Sequence, residues 1–244
     1  MNHRLTFCSC LLLILVAVQS PAQGIDVVTE DSFYAYLREG RLTGPGTRVV
    51  EQTLKRAVFD DYHIVLYPWA RAYEKALREP NVLIYPLLRT TERESLFKWV
   101  GEMAQARISL YRLREQRDVT AYSLQDAKRH SIGVVRDDTR QRYLQEKGFT
   151  RLVVSTTNRE SFQKLLNHQV QLLPMSEREL RKLSAEAQVD FARLEAVVTL
   201  DELTAGVYIA FSLDTPDELV NRVREAFEQL KASGEVARIM QEHP

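Results

Sequence analysis

From residue 25 onward the chain alternates two hydrophobic rhythms. Short β-branched or aromatic runs, IDVVT (25–29), YHIVLY (62–67) and NVLIY (81–85), predict buried strands. Between them lie helical stripes. TRVVEQTLKRAVF places its inward positions at 49, 50, 53, 54, 57 and 58. PWARAYEKALRE starts with Pro68 at the first helical position and puts Trp69, Ala72, Tyr73, Ala76 and Leu77 on one face. A β-α-β-α-β order implies a parallel sheet flanked by helices.

The rhythm then starts again. RISLYRL (107–113), SIGVV (131–135), RLVVS, VQLLP, LEAVVTL and GVYIAFS (206–212) predict strands. DTRQRYLQEKG predicts a helix capped by Asp137 or Asp138 and stopped at Gly148. NRESFQKLLNH predicts one capped by Asn158, and SERELRKL one with Ser176 and Glu179 as capping box. In TPDELVNRVREAFEQLK, Thr215 fits a cap, Pro216 the first helical position, and 219, 223, 226, 227 and 230 the buried stripe.

The first 22 residues follow neither rhythm. MNHR is basic, LTFCSCLLLILVAV is apolar, and Ser20 and Ala22 fit −3 and −1 of a cleavage site. This reads as a secretory signal over 1–22, too short for a comfortable span of about 20 residues, and places the mature protein in the periplasm. Both cysteines, Cys8 and Cys10, belong to it, so the mature chain offers no disulfide and no Cys-ligated metal. Lys and Arg number 33 and Asp and Glu 33. That balance gives no basic excess for nucleic acid.

Candidate chemistry is sparse. The sequence has no Walker loop, no GxGxxG and no GxSxG elbow, and its histidines lack metal-ligand spacing. No catalytic constellation, metal site or cofactor is expected. One residue stands out. In LLRTTERESLFKW (87–99), Thr91 and Glu94 suggest a capping box opening a short helix, yet Arg93 sits in its first turn. A cation there opposes the helix dipole by roughly 0.3–1 kcal/mol.

The segments from IDVVTEDSFYAYL through RTTERESLFKW, with Thr90, Arg93 and Phe97 filling a T-x-x-R-x-x-x-F pattern, resemble the family-3 periplasmic solute-binding proteins. The tail GVYIAFSLDTPDELVNRVREAFEQLKASGEVARI is similar to that family's return segment. The resemblance implies a two-lobe α/β fold, each lobe a mainly parallel sheet flanked by helices, joined by two crossover segments. It implies one lobe from 23–104 and 206–244 and a second from 105–205, with the ligand between them.

It also implies a site. Arg93 would clamp a ligand carboxylate beside Thr90; the alternative is a surface arginine paired with Glu94 or Glu30. Glu30 would make a polar contact. Phe33 and Trp69 would sandwich the ligand, although Trp69 equally suits core packing. Tyr85 and Pro86 would form the lining turn. In the second lobe, RDDT puts Asp137, Asp138 and Thr139 where the family usually offers a Gly and Ser/Thr loop. Ser176 stands near the family's ammonium-binding acid, as a ligand contact or as a helix cap. These departures point away from a standard α-amino acid and toward a polar solute with both charges or a cation. The expected protein is a monomeric, non-enzymatic solute-binding protein serving an inner-membrane ABC permease or a sensor. The alternatives are an enzyme of the cell-wall lytic type on this scaffold, or a ligand-less protein-interaction scaffold.

Overall fold

The computed structural model describes residues 24–241. The expected signal segment, with Cys8 and Cys10, lies outside the described residues. The elements run, in order, β1 (Ile25–Thr29), β2 (Tyr36–Arg38), β3 (Arg41–Thr43), α1 (Pro45–Arg56), β4 (Tyr62–Leu66), α2 (Trp69–Arg78), β5 (Val82–Leu88) and β6 (Phe97–Ala106). Then come β7 (Ile108–Leu113), α3 (Leu124–Ala127), β8 (Ile132–Val135), α4 (Thr139–Glu146), β9 (Leu152–Ser155), α5 (Asn158–Leu166), β10 (Leu173–Ser176), α6 (Glu177–Glu186) and β11 (Leu194–Thr199). The chain closes with β12 (Ala205–Ser212), α7 (Asp217–Ala232) and α8 (Glu235–Gln241).

They form a two-lobe α/β architecture. One sheet has the order β4-β1-β5-β12-β6; β1 is parallel to β4 and β5, and β12 is antiparallel to β5 and β6. The other combines β10-β7-β11 with the parallel pair β8-β9. A parallel bridge between Ile132 and Leu172 joins its two parts, with Gly133 N–H donating to the Leu172 carbonyl at 3.0 Å. The chain passes between the sheets twice, once at Arg107 and once through residues 200–204.

Buried stripes hold each layer. In α7, Val220, Val223, Ala226, Phe227 and Leu230 face inward. Phe227 packs against β6 at Gly101, where an added Cβ would lie 2.0 Å from the ring. Only glycine permits that approach. Gly148 ends α4 with φ +79, the left-handed conformation its position implied.

Several local expectations need correction. No α-helix follows Thr90. Residues Thr91–Arg93 make one 3-10 turn, and the chain then enters the ten-residue strand β6, where Phe97, Trp99, Val100 and Met103 are buried. The burial of these large side chains across a sheet outweighs the capping-box signal. Pro68 and Pro216 stand just before their helices, not within them. Thr215 does not cap α7; it is fully buried, and its Oγ1 accepts the Asn81 N–H at 3.1 Å. Thr157, not Asn158, caps α5, leaving the Asn158 side chain to turn inward. The strand expected at VQLLP is β10, three residues later. Val58 leaves the α1 stripe, exposed and with φ 56.

Candidate functional site

Parallel strands deliver their carboxyl ends to one place, and open α/β sheets bind ligands outside those ends. Glu30 follows β1, Trp69 opens α2 after β4, Asp138 follows β8 and Asn158 opens α5 after β9. These four residues, with Pro86, Arg93, Arg140, Ser176 and Glu179, line a cavity of about 80 Å³. That is well above the roughly 10–15 Å³ that a cavity needs to admit a water.

Arg93 is 3% exposed. Its guanidinium lies over the Tyr73 ring at 4.8 Å and the Trp69 ring at 5.2 Å. Those two rings are themselves stacked, 5.3 Å apart. Nη1 donates to the Leu88 carbonyl at 3.2 Å, while Nη2 is buried without a partner. The surface pairing with Glu94 does not occur. Glu94 is held by Arg89, whose Nε donates to Oε2 at 2.8 Å. Burial lowers the Arg93 pKa, with Tyr73 and Asp138 acting in the opposite direction.

On the other wall Asp138 caps α4, accepting the Arg140 backbone N–H at 2.7 Å. The Arg140 guanidinium returns to the same carboxylate through Nε at 2.6 Å and Nη2 at 3.1 Å. It also donates to Asn158 Oδ1 at 2.9 Å and the Pro174 carbonyl at 3.2 Å. Burial alone would raise the Asp138 pKa, but Arg140 reverses this and holds the carboxyl below its usual range. The pair is internally satisfied and makes a fixed wall.

Two further carboxyls have raised pKa values. Burial pushes Glu30 up to about 8, reinforced by Asp138 and opposed by Arg140. No hydrogen bond or ion pair to its carboxyl is found among the described residues. Burial likewise pushes Glu179 up to about 7 against the pull of Lys182. One Glu179 oxygen accepts the Phe33 N–H; the other is buried with no partner. Among the residues lining the cavity, Arg93 Nη2 and one Glu179 oxygen are buried without a partner, and the Glu30 carboxyl stands beside them.

Bonds between the lobes close this space. Trp69 Nε1 donates to the Asp137 carbonyl at 3.1 Å. Asp31 accepts from Arg159 at 2.7 Å and Lys182 at 2.9 Å. With the Glu179–Phe33 bond, they tie the segments around the first sheet to those around the second.

Of the residues singled out in the sequence, Glu30, Trp69, Pro86, Arg93, Asp138 and Ser176 come together at this cavity. Ser176 caps α6, its Oγ accepting the Glu179 N–H at 3.4 Å. Thr90 and Thr139 instead line a separate surface cleft beyond Arg93. Phe33 reaches the site through its backbone and turns its side chain to a neighbouring groove. Tyr85 is fully buried behind the wall, its hydroxyl 2.9 Å from Thr47 Oγ1, and is joined to Pro86 by a cis peptide.

Sequence reasoning missed Arg140, Asn158 and Glu179. Arg140 carried the same signal as Arg93, a cation in the first turn of a helix. Glu179 was masked by its fit to a capping box. Among the described residues no group of His, Cys, Asp and Glu could hold a metal ion.

Comparison with protein-family models and with curated protein sequences finds no match. Solved structures do match. A histidine kinase sensor domain with similarity to periplasmic binding proteins has a TM-score of 0.78 at 16% identity, over 89% of this chain and 94% of that one. The arginine-, lysine-, histidine-binding protein ArtJ from Geobacillus stearothermophilus has a TM-score of 0.77 at 17% identity, over 91% and 97%. The amino acid ABC transporter substrate-binding protein AbpA from Streptococcus pneumoniae, bound to L-arginine, has a TM-score of 0.76 at 16% identity, over 89% and 93%. The chain shares the two-lobe periplasmic binding protein fold with these structures.

Proposed function

We propose that this chain is an exported, non-enzymatic solute-binding protein that captures a small polar solute between its lobes and hands it, or the signal of its capture, to a membrane partner. The observation that carries the reading is the set of unmet groups around one buried cavity. Arg93 Nη2 lacks an acceptor and one Glu179 oxygen lacks a donor, and the Glu30 carboxyl adds a further acceptor for a cation. A solute with a carboxylate or carbonyl at one end and an ammonium or guanidinium at the other meets both needs. Glu179, three residues after Ser176, supplies an acidic group for an ammonium, so an amino acid-like zwitterion suits the site as well as a simple cation.

The lobes we assign are 23–104 with 206–244, and 105–205, closing about the two crossovers by hinge motion. Segment 1–22 is proposed as the export signal and the periplasm as the compartment. The two outputs are both represented among the similar folds, in transporter components and in a sensor domain. The protein is expected to work as a monomer.

Thermal unfolding against a solute panel tests the function. L-arginine, L-lysine, L-histidine and L-glutamine are the first probes. A solute at 100 times its Kd adds about 2.7 kcal/mol of stability. Stabilisation of the wild type that Arg93→Ala abolishes supports the reading; a panel without effect on the wild type counts against it.

A further inference from the structure

Beside the solute cavity runs a larger groove of about 1090 Å³. It is walled by Phe33–Arg38 from the first lobe, by Arg107 at the crossover, and by α6 from the second lobe. Five cationic side chains line it, Arg38, Arg107, Arg178, Arg181 and Lys182, against two carboxylates, Glu177 and Glu186. The chain as a whole is balanced, 33 against 33, so this excess is local.

Both carboxylates are already used. Glu177 accepts from Arg181 at 2.7 Å. Glu186 pairs with Lys182 at 3.0 Å and Arg159 at 2.8 Å. Lys182 is further committed to Asp31. That leaves three exposed arginines whose guanidinium contacts among the described residues are to uncharged groups. Arg38 donates to the Tyr36 hydroxyl at 3.4 Å, Arg107 to Thr199 Oγ1 at 3.4 Å, and Arg178 to the Met240 carbonyl at 3.3 Å. Each bond is long and uses one nitrogen of a group that offers five N–H donors. Among them lies the apolar side chain of Leu37, 61% exposed.

We propose that this groove docks an acidic polypeptide segment of a partner protein, with Arg38, Arg107 and Arg178 receiving carboxylates and the exposed Leu37 side chain receiving an apolar one. The guanidinium fork matches a carboxylate in bidentate geometry. The concave, two-lobed wall admits an extended peptide and excludes the flat surface of a bilayer. Because both lobes and a crossover contribute, the docked segment reads the lobe arrangement itself. The inference stands on charge and shape and does not depend on which solute fills the cavity.

The test is fluorescence anisotropy of the full mature chain with a fluorescein-labelled peptide of alternating Glu and Leu. Parallel arms use a Lys and Leu peptide, phosphatidylglycerol vesicles and inorganic phosphate as competitor. The acidic peptide should bind, more weakly as salt rises, and the Lys peptide should not. Arg107→Ala and Arg178→Ala should each weaken binding about two- to fivefold, the range of an exposed ion pair. The combined Arg38→Ala, Arg107→Ala and Arg178→Ala variant should abolish it, while Ala at exposed Arg117, outside the groove, should not matter. Absence of acidic-peptide binding in low salt overturns the proposal. So does equal loss in Arg117→Ala, displacement by millimolar phosphate alone, or vesicle binding that requires the three arginines.

Discussion

The Trp69 indole N–H, on the first residue of α2, donates to the Asp137 carbonyl at 3.1 Å, and so ties a helix of the first lobe to the turn before α4 in the second. The same ring stacks on Tyr73 and lies beneath the Arg93 guanidinium. Trp69 thus packs in the core and lines the cavity with one side chain. Its fluorescence should therefore follow lobe closure. In a Trp99→Phe background, which leaves Trp69 as the sole tryptophan, a solute that calorimetry shows to bind should shift Trp69 emission and reduce quencher access. Unchanged emission and access would show that Trp69 does not sense the cleft.

Arg93 is buried with an unpaired Nη2, so its removal should weaken solute binding far more than folding. Truncating one partner of a buried charge contact costs about 2–5 kcal/mol in binding. Arg93→Lys should also lose affinity, since a point charge cannot replace the planar fork stacked on two rings. Calorimetry of both variants checks this, alongside chemical denaturation to separate binding from stability.

Arg140 should behave in the opposite way. Its guanidinium is fully engaged by Asp138, Asn158 and Pro174. Arg140→Ala leaves a buried carboxylate without its partner and should destabilise the fold by about 3–5 kcal/mol. Urea denaturation reads this directly. A loss below about 1 kcal/mol would show that the pair is hydrated and not a fixed wall.

The raised carboxyls give a pH signature. Glu30 and Glu179 have folded pKa values of about 8 and about 7, above the ordinary 4.5. Between 4.5 and those values the folded state binds more protons than the unfolded state, so stability falls as pH rises. The contribution is fully present below 4.5 and is lost through about 7 to 8. A cationic solute pulls the other way, since it prefers ionised carboxylates and expels their protons. Its affinity should rise between pH 6 and pH 8, roughly the span of these two groups. Glu179→Gln should flatten both trends. Titrations in buffers of different ionisation enthalpy measure the released protons.

Much of this was legible in the chain. The strands before Glu30 and Trp69 are β-branched runs, and the α7 stripe is regular; periodicity captures such elements because burial on one face dictates them. The oddly placed cation in the first turn marked Arg93. Other features depended on tertiary contacts that no local pattern encodes. β6 was hidden because its start mimics a capped helix, and its burial against α7 and β12 becomes apparent only when those elements meet it. Thr215 looked like a cap because its hydroxyl partner, the Asn81 N–H, lies 134 residues away in sequence. In the sequence Glu179 fits local capping chemistry, whereas its carboxyl bonds Phe33 across the cleft.

The most direct measurement is calorimetric titration of the solute giving the largest thermal shift among L-arginine, L-lysine, L-histidine and L-glutamine into wild type and Arg93→Ala. A cleft built around Arg93, Glu30 and Glu179 should bind with one-to-one stoichiometry and release protons near neutral pH. The Arg93→Ala variant, still folded, should lose about 2–5 kcal/mol of that affinity. Equal affinity in the two proteins, or no binding to the wild type, would contradict the assignment of this cavity as a solute site.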